Sequence, residues 1–183
     1  LCASRTSHGF VVPVLLHWKG WLIPMDVFYY WKNHDADLKA GRIGQFKSTA
    51  GKRQELLDGY PDFLWTFKTP KGRRGEVQLI ARLKWSDRPT VKRKPEPNHV
   101  YLSYDAQDAQ SVIFDDSETE AAIAATSSWV ARNFPGMTAA NFQGTSGQEA
   151  MRGSALKELQ ALAAGFRRQP FSAIAAVGAV APA

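Results

Sequence analysis

Two short segments in which apolar and polar residues alternate constrain the fold of this chain more than any other feature. They run from Phe63 to Lys68 and from Glu76 to Trp85, and the turn between them holds one proline, two glycines and three basic residues. A period of two places successive side chains on opposite faces of a strand. Such a turn composition is typical of a hairpin loop. The two segments therefore predict a β-hairpin with a basic tip.

Each strand of this hairpin is predicted to have one buried face. The expected buried set is apolar and comprises Phe63, Trp65, Phe67, Val77, Leu79, Ala81, Leu83 and Trp85. The other face of the second strand is polar and carries Glu76, Gln78, Arg82 and Lys84. We expect that face to present charge to solvent or to a ligand.

Further strands and helices are predicted on both sides of the hairpin. Strand composition is found over 27–31, 100–104 and 111–114, and helical turns are expected over 35–40 and 50–58. Two Ser-x-x-Glu capping boxes then predict a helix from Ser117 to Asn133 and a helix over 146–168. Strands first and helices last indicate an α+β fold, with two C-terminal helices packed on a mostly antiparallel sheet.

The chain divides into four parts by composition. Residues 1–24 contain no Asp or Glu and hold the only Cys. We interpret them as an extension before a domain that begins at Met25, or alternatively as an additional edge strand over 10–17. Residues 25–116 form the β-rich part, and 117–169 form the helical pair of the same domain. Residues 170–183 are small and apolar, and are expected to fray.

Composition and motifs exclude several classes of protein. Hydrophobic residues make up 44% of the chain, yet no run approaches the roughly 20 apolar residues of a membrane-spanning helix. One Cys cannot form an internal disulfide, which favours a cytoplasmic setting. We find no nucleotide-binding, zinc or nucleophile-elbow motif. The His34-Asp35-Ala36-Asp37 run is typical of a helix start rather than a metal site, so we predict no catalytic residues, metal or cofactor.

A concentration of positive charge is the strongest hint of function. Residues 68–94 hold ten Lys or Arg against two acids, a local charge of +8 over 27 residues. Such a footprint suits a polyanion, although a solvated surface has the same composition. Aromatic residues lie in and beside the same strands, and aromatic rings next to cations are what stacking of an unpaired base requires.

Two alternatives to polyanion binding stay open at this point. Pro61-Asp62 followed by Glu76-Val77-Gln78 is similar to a nuclease pattern, with Gln in place of Lys. Two such acids on adjacent strand ends would share Mg²⁺. Alternatively, the helix over 146–168 would dock on a protein partner through an exposed stripe of Leu156, Leu159 and Phe166.

The order of elements resembles the PUA-like superfamily, and most closely its EVE-type domains. The resemblance covers about 25–85 and is carried by Phe28-Tyr29-Tyr30-Trp31, by Tyr60 to Trp65 and by Val77 to Leu83, with Pro61-Asp62 standing where Gly-Asp is expected. It implies a small, curved β-barrel that reads nucleic acid, DNA or RNA, by accepting a flipped and often modified base without chemistry on it. The base pocket would be drawn from Tyr29, Trp31 and Trp65. The cationic grip would be drawn from Lys68, Lys71, Arg73, Arg74, Arg82 and Lys84, and we also expect Arg42 among the nucleic-acid-binding residues.

Overall fold

The computed structural model describes residues 24–91, 96–97 and 99–178, and within them the chain is α+β. The strands are β1 Met25–Tyr30, β2 Gln45–Ser48, β3 Phe63–Lys68, β4 Gln78–Ser86, β5 Val100–Asp105, β6 Val112–Phe114, β7 Gln148–Arg152 and β8 Arg168–Pro170. The helices are α1 His34–Lys39, α2 Ala50–Leu57, α3 Glu120–Asn133, α4 Pro135–Ala139, α5 Gly153–Ala164 and α6 Phe171–Gly178. A 3₁₀ turn, Gly144–Gly147, precedes β7.

The strands form one mixed sheet that curls into a half-barrel. Its main path runs β2-β5-β4-β3-β1-β7, and β6 pairs with β4 and with β8. The β1–β3 pair is parallel and the other pairs are antiparallel, so a mostly antiparallel sheet is confirmed. The two end strands meet through side chains: Ser48 Oγ donates to Gln148 Oε1 (2.6 Å), and Gln148 Nε2 donates to the Lys47 carbonyl (3.1 Å).

Both faces of the sheet are covered by apolar side chains. The inner core contains Val27, Phe46, Leu64, Leu83, Leu102 and Tyr104. The outer core lies between the sheet and helices α3 and α5, and contains Phe28, Trp65, Phe67, Trp129, Leu156 and Leu159. The sequence predicted one buried face for each hairpin strand, but in β3 the four residues from Leu64 to Phe67 are all buried. The helices cover the outer face of the sheet, and the curvature of the sheet encloses the inner face, so both faces are buried.

A β-bulge in β4 changes which residues share a face. Thr66 pairs with Ala81 and Phe67 pairs with Leu79, so Ile80 is an extra residue in β4. The outer core therefore takes Val77 and Leu79, whereas the inner core takes Ala81, Leu83 and Trp85. The prediction that these five residues share one face is wrong, because a bulge reverses the alternation beyond it.

The beginnings of both predicted C-terminal helices are also wrong. Ser117 is buried, donates to the Phe114 carbonyl (3.0 Å) and accepts from Gln78 Nε2 (3.2 Å). Thr119 caps α3 instead, since the Ala122 N–H donates to its hydroxyl (3.3 Å). The second capping box falls in the 3₁₀ turn and in β7, which pairs antiparallel with β1. Gln78, expected on a solvent face, is consequently buried.

The other expectations for the C-terminal part concerned an exposed apolar stripe and a frayed tail. Leu156 and Leu159 are buried in the outer core with Phe166 packed against it, so the stripe proposed for a protein partner is not exposed. After Pro170 the chain forms α6, whose first residue, Phe171, is fully buried, instead of fraying there. The extension over 1–24, except Pro24, and residues 179–183 lie outside the described residues. No helix in the described part is long and apolar enough to cross a membrane.

Candidate functional site

An aromatic cavity of about 480 Å³ opens where β1, β2 and the 3₁₀ turn before β7 meet. Five aromatic side chains line it, namely Tyr29, Tyr30, Trp31, Phe46 and Phe142. Strand alternation sends Tyr29 and Tyr30 to opposite faces of β1. Tyr29 stacks on Phe46 (ring centroids 4.2 Å apart) and Tyr30 stacks on Phe142 (4.5 Å). The cavity lies at the C-terminal end of β1, where side chains from both faces of the strand line it.

Asp37 of α1 holds two of the predicted site residues at this cavity. Trp31 Nε1 donates to Asp37 Oδ2 (2.8 Å), and Arg42 Nε donates to Asp37 Oδ1 (2.9 Å). Trp31 is almost fully buried, so its ring supports the wall of the aromatic cavity and offers little surface to a ligand. Burial, with the Asp37 charge as a smaller cause, raises the pKa of Tyr29 above its usual range. Tyr29 therefore stays a neutral phenol at physiological pH.

The rest of the aromatic cavity is polar. Lys47 Nζ forms an ion pair with Glu96 (2.6 Å), and His99 lies beside them in the cavity wall. Gln45 is nearly buried, and its amide oxygen has no hydrogen-bond partner among the described residues. Aromatic faces combined with a few amide and charged groups are typical of small-ligand sites.

A second cavity, the hairpin cleft, adjoins the first. It has a volume of about 370 Å³ and lies against the β3–β4 turn, with Thr69, Pro70, Gly72, Arg73, Arg74 and Gly75 in its wall. Tyr30, Lys32 and Gln143 line both cavities. Tyr30 Oη also donates to Thr69 Oγ1 (2.8 Å), which ties the end of β1 to the hairpin. The hairpin cleft and the aromatic cavity thus adjoin at three shared residues, and we call the two cavities together the groove.

The cations of the turn differ in how far they are neutralised. Arg73 pairs with Glu120 and with Glu76 (3.2 Å), and these carboxylates, Glu120 first, raise its pKa. Lys71 and Arg74 are exposed and form no ion pair within the described residues. Lys68 lies at the base of the hairpin and is bound to Asp35 (2.9 Å). Lys71 and Arg74 are therefore the cations most free to meet an anion.

Five of the predicted site residues line neither cavity: Lys68 and Lys71 at the hairpin, and Trp65, Arg82 and Lys84 on the outer face. The parallel β1–β3 register places Trp65 beside Phe28, on the face opposite Tyr29 and Trp31. Trp65 is buried there and donates to Asp26 Oδ2 (2.6 Å), so it does not line the aromatic cavity. Arg82 and Lys84 share this outer face, with their cationic groups 4.5 and 4.7 Å from the Phe63 ring centroid. Burial, with Arg168 as a second cause, lowers the pKa of Arg82.

Sequence reasoning missed the residues that close the groove from the far side of the chain. Phe142 and Gln143 are more than one hundred positions from β1, and Phe46 lies in a strand that was not predicted. Asn141 and Phe142 have φ of +51° and +53°, in the left-handed region that costs a bulky residue energy. With this backbone conformation the Phe142 ring stacks on Tyr30, and no local sequence pattern predicts that contact.

The pair of acids expected for a nuclease is not assembled. Phe63 pairs with Lys84 and Lys68 pairs with Gln78, so Asp62 and Glu76 lie at opposite ends of the β3–β4 hairpin. A strand of six residues separates them by about 20 Å. Asp62 instead contacts Lys84 (3.6 Å). No group of three or more His, Cys, Asp or Glu within the described ranges is placed to hold a metal ion.

We compared the chain with protein families, curated proteins and solved structures. No family model, no curated protein and no solved structure matches the chain significantly.

Proposed function

We propose that this protein is a binding module for single-stranded nucleic acid, or for a nucleotide turned out of a duplex. The observation that carries the proposal is that the aromatic cavity and the cationic hairpin cleft adjoin and share Tyr30 and Lys32 in their walls. A stacked base is worth about 1–3 kcal/mol, and neighbouring cations supply a salt-dependent phosphate contribution. The partly exposed rings of Tyr29 and Tyr30 offer the first contribution, since the other three aromatic residues of the cavity are buried, and the exposed cations Lys32 and Arg74 offer the second.

The shape of the groove favours an unpaired strand over an intact duplex. The aromatic rings line a recess at the end of β1, and a paired base inside a helix cannot enter such a recess without leaving the stack. A PUA-like module as the scaffold is part of the proposal, and the curled, mixed sheet is compatible with it. Selection of modified bases follows from that resemblance, and forms part of the proposal.

The test is a fluorescence-anisotropy titration of labelled single-stranded and duplex DNA and RNA at several salt concentrations. We expect tighter binding of the single strands, with affinity that falls linearly in log salt. Lys71→Ala/Arg74→Ala should weaken binding and reduce the magnitude of the salt slope by about 1.4, since each lost single-strand phosphate contact contributes about 0.7. Both side chains are exposed, so the variant should fold normally.

Lys157→Ala/Arg167→Ala serves as a matched control. It removes the same charge from exposed positions that line neither cavity. An equal loss of affinity in both variants would mean that the hairpin contributes only through the net charge of the protein. Absence of binding to every nucleic acid at low salt would refute the proposal.

A further inference from the structure

Charge is divided unequally between the two adjoining cavities. Among the described residues of the aromatic cavity's wall, each Lys or Arg except the shared Lys32 has a carboxylate partner in the same wall: Arg42 with Asp37 and Lys47 with Glu96. The formal charges of these two pairs cancel. An aromatic, polar and nearly neutral recess suits an uncharged planar group better than an anion.

The hairpin cleft has the opposite balance. Its described wall contains Lys32, Arg73 and Arg74 and no Asp or Glu. Arg73 is engaged by Glu76 and Glu120, but Lys32 and Arg74 are exposed and form no ion pair with any described residue. Unpaired cations around a concave surface attract an oxyanion, and Arg in particular presents donors that match phosphate.

Tyr30, Lys32 and Gln143 lie between these two environments, since they line both cavities. Tyr30 is stacked on Phe142 on one side and hydrogen-bonded to Thr69 on the other, which fixes the ring between them. A ligand that spans the groove therefore meets a neutral aromatic site and a cationic site on either side of one tyrosine. A nucleotide has this distribution, with a neutral base at one end and a charged phosphate at the other.

From this arrangement we propose that the recognition unit is one nucleotide in a fixed orientation, with its base in the aromatic cavity and its phosphate in the hairpin cleft. Free nucleoside monophosphates are then sufficient ligands. This inference rests on the proposed function, because it assigns the same groove, but it adds a minimal ligand and a direction. It also separates the role of Arg74, which binds the phosphate, from that of Arg42, which is held by Asp37.

Isothermal titration calorimetry on the full chain tests this with the four common nucleoside 5′-monophosphates, the corresponding nucleosides and inorganic phosphate. We expect at least one monophosphate to bind about tenfold or more tightly than its nucleoside, the effect of one charge-assisted contact. Inorganic phosphate should compete with the monophosphate and not with the nucleoside. Lys32→Gln/Arg74→Gln should bring the monophosphate affinity down to that of the nucleoside, and Lys157→Gln/Arg167→Gln should leave it unchanged.

The possible failures can be told apart by adding a single-stranded oligonucleotide to the series. Equal affinity for monophosphate and nucleoside, or oligonucleotide binding without any monophosphate binding, would overturn the single-nucleotide site and leave the proposed function standing. Monophosphate binding without oligonucleotide binding would overturn the proposed function and keep the nucleotide site. Absence of binding in both series would overturn both.

Discussion

Asp26 is an ionisable residue buried among apolar side chains, and its contacts give it a structural role. Its side chain is 3% exposed and accepts hydrogen bonds from Trp65 Nε1 (2.6 Å) and from the Phe63 N–H (3.1 Å). These bonds join β1 to β3, the parallel pair on which the position of Tyr29 and Tyr30 depends. Burial raises the pKa of Asp26 above its usual 3.8, although both hydrogen bonds oppose that rise.

This raised pKa predicts a specific pH dependence of stability. In the folded protein Asp26 binds its proton more tightly than in the unfolded chain, so its contribution is fully present below 3.8 and is lost as pH rises through the folded value. The unfolding free energy of the wild type minus that of Asp26→Asn should therefore increase as pH is lowered from about 7 to about 4. Urea unfolding of both proteins across this range measures the difference.

Glu118→Gln provides the comparison for that series, because Glu118 is exposed and is not among the charges that act on Asp26. A difference between wild type and Asp26→Asn that shrinks as the pH is lowered would contradict the assignment of a raised pKa.

At the scale of elements, helix α5 is a core helix. Leu156, Leu159 and Ala163 are buried against the sheet, and Trp129 Nε1 of α3 donates to the Ala155 carbonyl (3.2 Å). Beta strand β7 leads directly into α5 and completes the sheet beside β1. The apolar stripe of this helix thus stabilises the fold that carries the groove.

We expect Leu159→Ala to lower the free energy of unfolding by about 3 kcal/mol, as for other fully buried leucines that leave a cavity. Chemical denaturation measures the loss. Gln160→Ala, at an exposed position of the same helix, should change stability by less than about 0.5 kcal/mol. A Leu159→Ala protein as stable as the wild type would mean that the stripe is not part of the core.

The elements predicted from the sequence were those with a strong local pattern. The hairpin strands follow alternation, α2 follows the stop at Gly59 and Pro61, and the end of α3 follows the stop at Pro135-Gly136, all of which are local. The β4 bulge was missed because Leu79, Ile80 and Ala81 are all apolar and hide the reversal of faces. Strand β7 was missed because Gln148–Arg152 is compatible with a helix, and pairing with β1 decides its conformation.

At the scale of the whole molecule, the groove is assembled from distant parts of the chain. Tyr29, Trp31 and Arg42 were expected at the site, the two aromatic residues through the family resemblance, and all three line the aromatic cavity. Trp65 was expected there too, but the parallel register turns it to the other face. Phe142 reaches the groove only through a strained turn far along the chain, which a single sequence does not reveal.

Aromatic side chains that a ligand could reach lie at more than one place on the molecule. The groove holds Tyr29, Tyr30 and Phe142 beside the basic turn, whereas the outer face carries Phe63 under Arg82 and Lys84. Tyr60, 73% exposed, is the most accessible large hydrophobic residue in the described part of the chain. These residues report contact with an oligonucleotide at different places on the molecule.

Photo-crosslinking of a 5-bromouridine oligonucleotide, followed by mass spectrometry of the crosslinked peptides, tests the central claim most directly. We expect crosslinks at Tyr29, Tyr30 or Phe142, which disappear when excess unlabelled single strand is added. Crosslinks confined to Phe63 or Tyr60, with none in the groove, would show that nucleic acid binds another face and would contradict the account.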